Sequence, residues 1–253
     1  MPVEMAIGEN IIVLRCFFKF NIYDKKGKFI KKFTIPGLNA YNSSIELLRD
    51  SLLIVGGNSS ADPFERLPSL IHHYRLYPEI EHEKSYFRLS SNIVKNKDFS
   101  YVGAKFYLSK ASDELFAYQV YNYKLSKYNI PSGDLKNEIK LDEANFKTIK
   151  DKRPEKTLSK EEEEEFQSKW SKLWKIAPLN ESFLVAYSSL PKNTKGFESL
   201  MEVMNINTGE VVYNQAFNKL ELFLGAQNNT IYTAKLSKGE NKMSVTAYAF
   251  KNI

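Results

Sequence analysis

One cysteine in 253 residues, Cys16, excludes an intrachain disulfide. It stands in the apolar, strand-like run Ile11-Ile-Val-Leu-Arg-Cys-Phe-Phe18, where a buried inert thiol is expected. No run of eighteen or more apolar residues occurs, so no membrane-spanning helix is expected. The amino-terminal Met1-Pro-Val-Glu-Met-Ala-Ile7 lacks the basic start and apolar centre of a secretory leader. A cytoplasmic location is expected unless a targeting segment is missing; a periplasmic or cell-surface one would need, besides that, kinship with an exported family. Gly-x-Ser-x-Gly, His-Glu-x-x-His and Cys-x-x-Cys are all absent. Gly56-Gly57-Asn58-Ser59-Ser60 has neither the lysine nor the helix of a phosphate-cradling loop and reads as a turn.

What is present is aromatic and β-prone. Fifteen tyrosines and seventeen phenylalanines within a 43% hydrophobic composition are enough to build a substantial core, which excludes global disorder. The formal charge of +6 is compatible with an anionic partner. Lysine and glutamate alternate locally, however, and no basic stripe interleaved with aromatics emerges, so a nucleic-acid partner is not expected.

One phrase occurs three times: a strand, a tight polar turn holding one glycine, and a second strand. It reads Tyr23-Asp-Lys-Lys-Gly27-Lys-Phe-Ile, then Tyr128-Asn-Ile-Pro-Ser-Gly133-Asp-Leu, then Met204-Asn-Ile-Asn-Thr-Gly209-Glu-Val. A hairpin repeated along a chain implies stacked units, none able to bury its apolar faces alone. Five units are predicted. The first holds strands over 3–7, 11–16, 18–23 and 28–34. The second has strands at 47–48, 52–55, 70–77 and 85–89, and the third at 105–108, 115–120, 123–128 and 135–139. In the fourth, strands at 183–187, 200–206 and 210–215 follow an insertion. The fifth has strands at 220–224, 230–234 and 243–250 and no evident fourth. The expected fold is an all-β propeller of about five recognisable four-stranded blades, either five-bladed or an incomplete six-bladed one. It forms a single domain over 1–253.

The insertion is expected to be helical over about 154–176. Ser159-Lys-Glu-Glu162 fits a capping box. Phe166, Trp170, Leu173 and Trp174 recur at helical spacing as one apolar stripe. The stripe either packs back on its own blade or offers Trp170 and Trp174 to a partner.

Few residues suggest chemistry. Adjacent strand residues point to opposite faces, so His72 and His73 are not expected to chelate one ion, and no metal or other cofactor is predicted. The carboxylate pairs Asp113-Glu114 and Asp142-Glu143 lie in apparent turns, where they serve the backbone. The run His72-His73-Tyr74-Arg75 concentrates hydrogen-bonding and cationic groups on an apolar strand and is the expected ligand-binding rim.

The residues 22–33, 115–139 and Asn207-Thr-Gly-Glu-Val211, with the acidic segment before Trp170-Ser-Lys-Leu-Trp174, resemble the six-bladed propellers of Bacteroidetes. Many of these are TolB-like or NHL-like predicted lipoproteins of unknown function. The resemblance implies a propeller over most of the chain and carries over no catalytic residue. The expected function is non-catalytic binding or scaffolding, with a protein or saccharide ligand. The alternative is a propeller hydrolase or lactonase acting on a sugar-like substrate through a divalent cation, which needs carboxylates converging on a central channel.

Overall fold

In a computed structural model the described residues are 4–16, 19–35, 38, 44–57, 69–88, 104–109, 112–141, 146–148, 158–194, 197–217, 221–236 and 243–251. Among them are nineteen strands and one helix. The strands form five antiparallel sheets, each a meander in chain order. The fold is all-β and propeller-like, as the repeated phrase predicts.

The first sheet is β1 (Glu4–Ile7), β2 (Ile11–Cys16), β3 (Lys19–Asp24) and β4 (Phe29–Thr34). The second is β5 (Ile45–Leu48), β6 (Leu52–Gly56), β7 (Ser69–Arg75) and β8 (Glu81–Arg88). The third is β9 (Lys105–Ser109), β10 (Glu114–Tyr118), β11 (Lys124–Asn129) and β12 (Leu135–Lys140). The fourth is β13 (Lys172–Pro178), β14 (Phe183–Thr194), β15 (Phe197–Asn205) and β16 (Val211–Phe217). The fifth has three strands: β17 (Leu222–Gln227), β18 (Thr230–Leu236) and β19 (Met243–Ala249).

The repeated phrase joins the third strand to the fourth in sheets one, three and four. Gly27, Gly133 and Gly209 take φ of 82°, 79° and 76° there, a region that L side chains enter only with strain. The side chain opening each turn holds its amides. Asp24 accepts from the N–H of Lys26 and Lys28, Asn129 from Ser132, and Asn205 from Asn207 and Thr208. In sheet two the corresponding connection holds a cis Tyr77-Pro78 bond instead.

The chain divides into two compact units. One holds sheets one and two and most of sheet three. The other holds the helix, sheets four and five, and residues 121–124 and 138–150. In the first unit β2 alternates buried and half-buried side chains. Ile11, Val13, Phe20 and Ile22 join Leu47, Leu53, Val55 and Leu76 of the second sheet in one cluster. In the second unit Val185, Met201, Val203 and Phe217 of sheet four pack with Ile231, Phe223 and Tyr248 of sheet five. Within each unit two successive sheets thus bury a face against each other, at about 1.5–3 kcal/mol for each fully enclosed Phe, Ile or Leu.

The helix departs from expectation. Helix α1 runs only over Lys160–Ser168; its capping box forms as read, with Ser159 Oγ accepting from Glu162 N–H and the Glu162 carboxylate accepting from Ser159 N–H. Residues 172–176, expected to continue it, lie instead in strand β13, Lys172–Pro178. Two backbone events end the helix. Just past the helix cap at Lys169, Ser171 exchanges hydrogen bonds with Lys147, its N–H donating to the Lys147 carbonyl and its Oγ accepting from the Lys147 N–H. Strand β13 then pairs with β14 as the first strand of sheet four. The apolar stripe is therefore divided: Phe166 lies on the helix and Leu173 and Trp174 on a strand. The helix precedes its blade rather than interrupting it.

Candidate functional site

His72 and His73 lie on β7, a strand covered on both faces, and alternate as strand neighbours must. His72 Nε2 lies 2.9 Å from the carbonyl oxygen of Gly57, so it carries the proton and donates. Its Nδ1 is then the acceptor for Ser85 Oγ at 2.7 Å. Ser85 Oγ in turn lies 2.7 Å from His82 Nε2, which donates to it. On the opposite face His73 Nε2 lies 2.7 Å from the Tyr86 hydroxyl.

Burial is the dominant electrostatic fact here. It pulls His72 below the ordinary imidazole value, with His82 adding to the effect against the opposing bond to Gly57. It pushes His73 down to about 3, with the charges of Lys84, His72 and His82 acting the same way. Burial likewise raises Tyr86 and Tyr74. His72, His73 and Tyr74 are buried and only Arg75 reaches solvent, where it pairs with Glu81 and Glu83. The four residues expected to form a rim are three core residues and one surface cation. No group of three or more His, Cys, Asp or Glu among the described residues is placed to hold a metal ion.

A cleft of about 820 Å³ opens in the second unit, lined by α1, β13, β14, β15 and β17. Its construction starts at a β-bulge. Leu173 faces Ser188 and Lys175 faces Tyr187, so Trp174 is the extra residue with no partner across the ladder. The bulge aims Trp174 and Lys175 both outward while Leu173 and Ile176 stay buried. Trp174 is 39% exposed, and its indole N–H donates to Ser189 Oγ at 2.9 Å. Lys172 holds its ammonium 5.5 Å from the Trp174 ring centre and donates to Gln167 Oε1 at 2.9 Å.

Leu222 and Leu224 line the same cleft from β17 and are 43% and 52% exposed. Between them Phe223 stacks on Tyr187, with ring centres 5.9 Å apart. The Tyr187 hydroxyl donates to the carbonyl of Glu221, and burial raises its pKa, with Ser199 opposing and Glu221 adding to the shift. Trp170 also borders the cleft but is buried, edge-on to Phe166, with the Lys147 ammonium 5.0 Å from its ring centre. The two tryptophans named from sequence thus have different exposures. Leu222, Leu224, Tyr187 and Lys172 carried no sequence signal for a site.

No family model matches the chain. No curated protein matches it either. Solved structures do. The CNH domain of AfRom2 is similar at 17% identity and a TM-score of 0.54, over 98% of this chain and 63% of that one. Hydrazine synthase of Kuenenia stuttgartiensis is similar at 11% identity and a TM-score of 0.59, over 99% of this chain and 63% of that one. A member of the DUF4221 family from Bacteroides vulgatus is similar at 10% identity and a TM-score of 0.59, over 95% of this chain and 76% of that one. This chain therefore spans less than two thirds of the length of the first two. No described helix is long and apolar enough to cross a membrane. At these identities the likeness is one of fold, a propeller-like succession of small antiparallel sheets.

Proposed function

We propose that this protein is a non-catalytic binding module that seats a protein segment in the Trp174 cleft. The observation that carries the reading is the bulge. It spends a ladder position to present a tryptophan to solvent beside two exposed leucines. Bulges re-aim side chains at functional positions, and tryptophan is enriched among the anchors of binding surfaces. The leucines favour a protein segment over a saccharide: aliphatic side chains gain by meeting apolar groups, whereas sugar rings stack on aromatic faces and need many hydrogen bonds. Lys172, Lys175, Glu164 and Glu198 around the apolar centre supply a polar rim.

The reading treats 1–253 as one domain, supported by single solved structures that match 95–99% of the chain. The kinship with TolB-like or NHL-like six-bladed propellers, and with it a place at a bacterial cell surface, is the finer part of the proposal. It draws support from the Bacteroides vulgatus structure.

The test is a peptide-display selection and a glycan array, each run with the wild-type chain and with Trp174→Ala. Peptides with an apolar anchor are expected to bind the wild type, and Trp174→Ala to weaken them by about thirtyfold, the loss typical of a central anchor. Glycans binding in their place, or peptide binding indifferent to Trp174→Ala, would overturn the assignment.

A further inference from the structure

Four of the five sheets have four strands, and the fifth has three among the described residues, ending at β19. That strand, Met243-Ser-Val-Thr-Ala-Tyr-Ala249, is exposed at every position but Tyr248, with Met243 at 58% and Val245 at 56%. It pairs with β18 along its whole length. Phe250 N–H donates to Asn229 at 2.8 Å, which fixes the phase of the ladder. By antiparallel alternation Ser244, Thr246 and Tyr248 spend their backbone groups on β18. Met243, Val245, Ala247 and Ala249 turn theirs away from it.

Edge strands are ordinarily blunted by charge, proline or a bulge. β4, β8 and β12, each the last strand of its sheet, carry lysines, and β8 and β12 add glutamates. β16 is uncharged, yet it is a fourth strand and half-buried along most of its length. β19 has no charge, no proline, no glycine and no register shift against β18. Nothing in it discourages a further strand.

We infer that β19 is a pairing edge and that its partner is β19 of a second copy of this chain, antiparallel, with the two-fold axis passing through Thr246. The strand is self-complementary in that register. Val245 meets Ala247 of the other copy and Met243 meets Ala249, and all four are residues whose backbone groups point outward, so each pair exchanges both hydrogen bonds. Thr246 meets its own copy as a non-hydrogen-bonded pair, the closer kind, and threonine pairs in that position are favourable. Ser244 meets Tyr248. No charge opposes a like charge, which the lysine-bearing outer strands could not offer. A two-fold interface of this type is closed, so association stops at the dimer.

Sedimentation velocity over a concentration series is expected to show a reversible monomer–dimer equilibrium. Thr246→Lys sets two lysines face to face on the axis and is expected to shift the chain to monomer. Ala247→Pro removes only an outward N–H, leaves the bonds to β18 in place, and is expected to do the same. Thr246→Cys is expected to give a covalent dimer on mild oxidation, because cysteines opposite each other in a non-hydrogen-bonded pair lie within disulfide reach. Ser244→Cys, placed opposite tyrosine, is expected to cross-link no more than the native chain with its Cys16. A wild-type chain that stays monomeric throughout, or dimers that survive both Thr246→Lys and Ala247→Pro, would overturn the inference.

Discussion

The Asp50 carboxylate accepts two hydrogen bonds from Asn10, one from the backbone N–H at 2.6 Å and one from the side-chain amide at 2.9 Å. Asp50 stands in the β5–β6 turn at φ 52°, and Asn10 stands in the turn between β1 and β2. One side chain therefore ties the turn of the first hairpin to that of the second, beside the apolar cluster the two sheets share. Gly8 makes room for it, since a Cβ there would sit 1.8 Å from Asp50 Oδ1.

Gly8→Ala is therefore expected to displace the carboxylate and break both bonds. Hydrogen bonds to a charged group contribute about 1.5–3 kcal/mol. A loss of roughly that size should appear in the denaturant midpoint with the slope unchanged. Asp50→Ala should cost a similar amount, and the double variant little more than either single one, because both act on the same contact. Additive losses would show that Gly8 matters for a reason other than Asp50.

The three repeat glycines offer a graded comparison. All have φ near +80°, so alanine at any of them incurs the left-handed penalty of about 1–2 kcal/mol. Their surroundings differ. A Cβ on Gly27 meets nothing within 4 Å, whereas on Gly133 it would lie 3.2 Å from Lys84 Cδ and 3.3 Å from Tyr86 Cδ1. Tyr86 cannot give way easily, being hydrogen-bonded to His73 and packed on Tyr128 with ring centres 4.7 Å apart. Gly133→Ala is expected to destabilise by roughly 1 kcal/mol more than Gly27→Ala, as overpacking adds to strain. Gly209→Ala, whose Cβ would meet Ile139 at 3.4 Å, should fall between them. Equal losses at Gly27 and Gly133 would show that backbone strain alone sets the cost.

The same glycines explain how far the sequence reveals the fold. A turn that needs positive φ, opened by Asp24, Asn129 or Asn205, is written in residue types that few other structures require, so three hairpins were legible. Sheet four was not. Phe166, Trp170, Leu173 and Trp174 satisfy a helical period, and nothing local says that Ser171 will instead bond to Lys147, some two dozen residues earlier. The strand at Lys172–Pro178 exists because β14 is there to pair with it. The site was half legible for a related reason. Period-two alternation separates His72 from His73, but whether both faces of β7 are covered depends on residues distant in sequence. Trp174 was visible as a tryptophan; the bulge that exposes it, and the leucines across from it, are properties of pairing and packing.

His73 gives the protein an acid limit. Its ring is buried, its Nδ1 meets no hydrogen-bond partner among the described residues, and Lys84, His72 and His82 oppose a charge there. Folded, it stays neutral until about pH 3, against 6.5 for a free imidazole. As pH falls through 6.5 the unfolded chain takes up the proton first, so the unfolded state gains. The contribution of His73 to stability is whole above that value and drains away toward about 3. The slope is about 1.4 kcal/mol per pH unit, or about 2 kcal/mol between roughly pH 6.5 and 5, a window in which most carboxylates remain ionised. His72, lowered for the same reason, adds to the loss with the same sign. His73→Gln keeps a partner for the Tyr86 hydroxyl and removes the titration. Chemical denaturation across that window should show a shallower fall for the variant than for the wild type, whatever its stability at neutral pH. Parallel curves would mean that water or a shifted ring lets His73 hold its proton in the folded state.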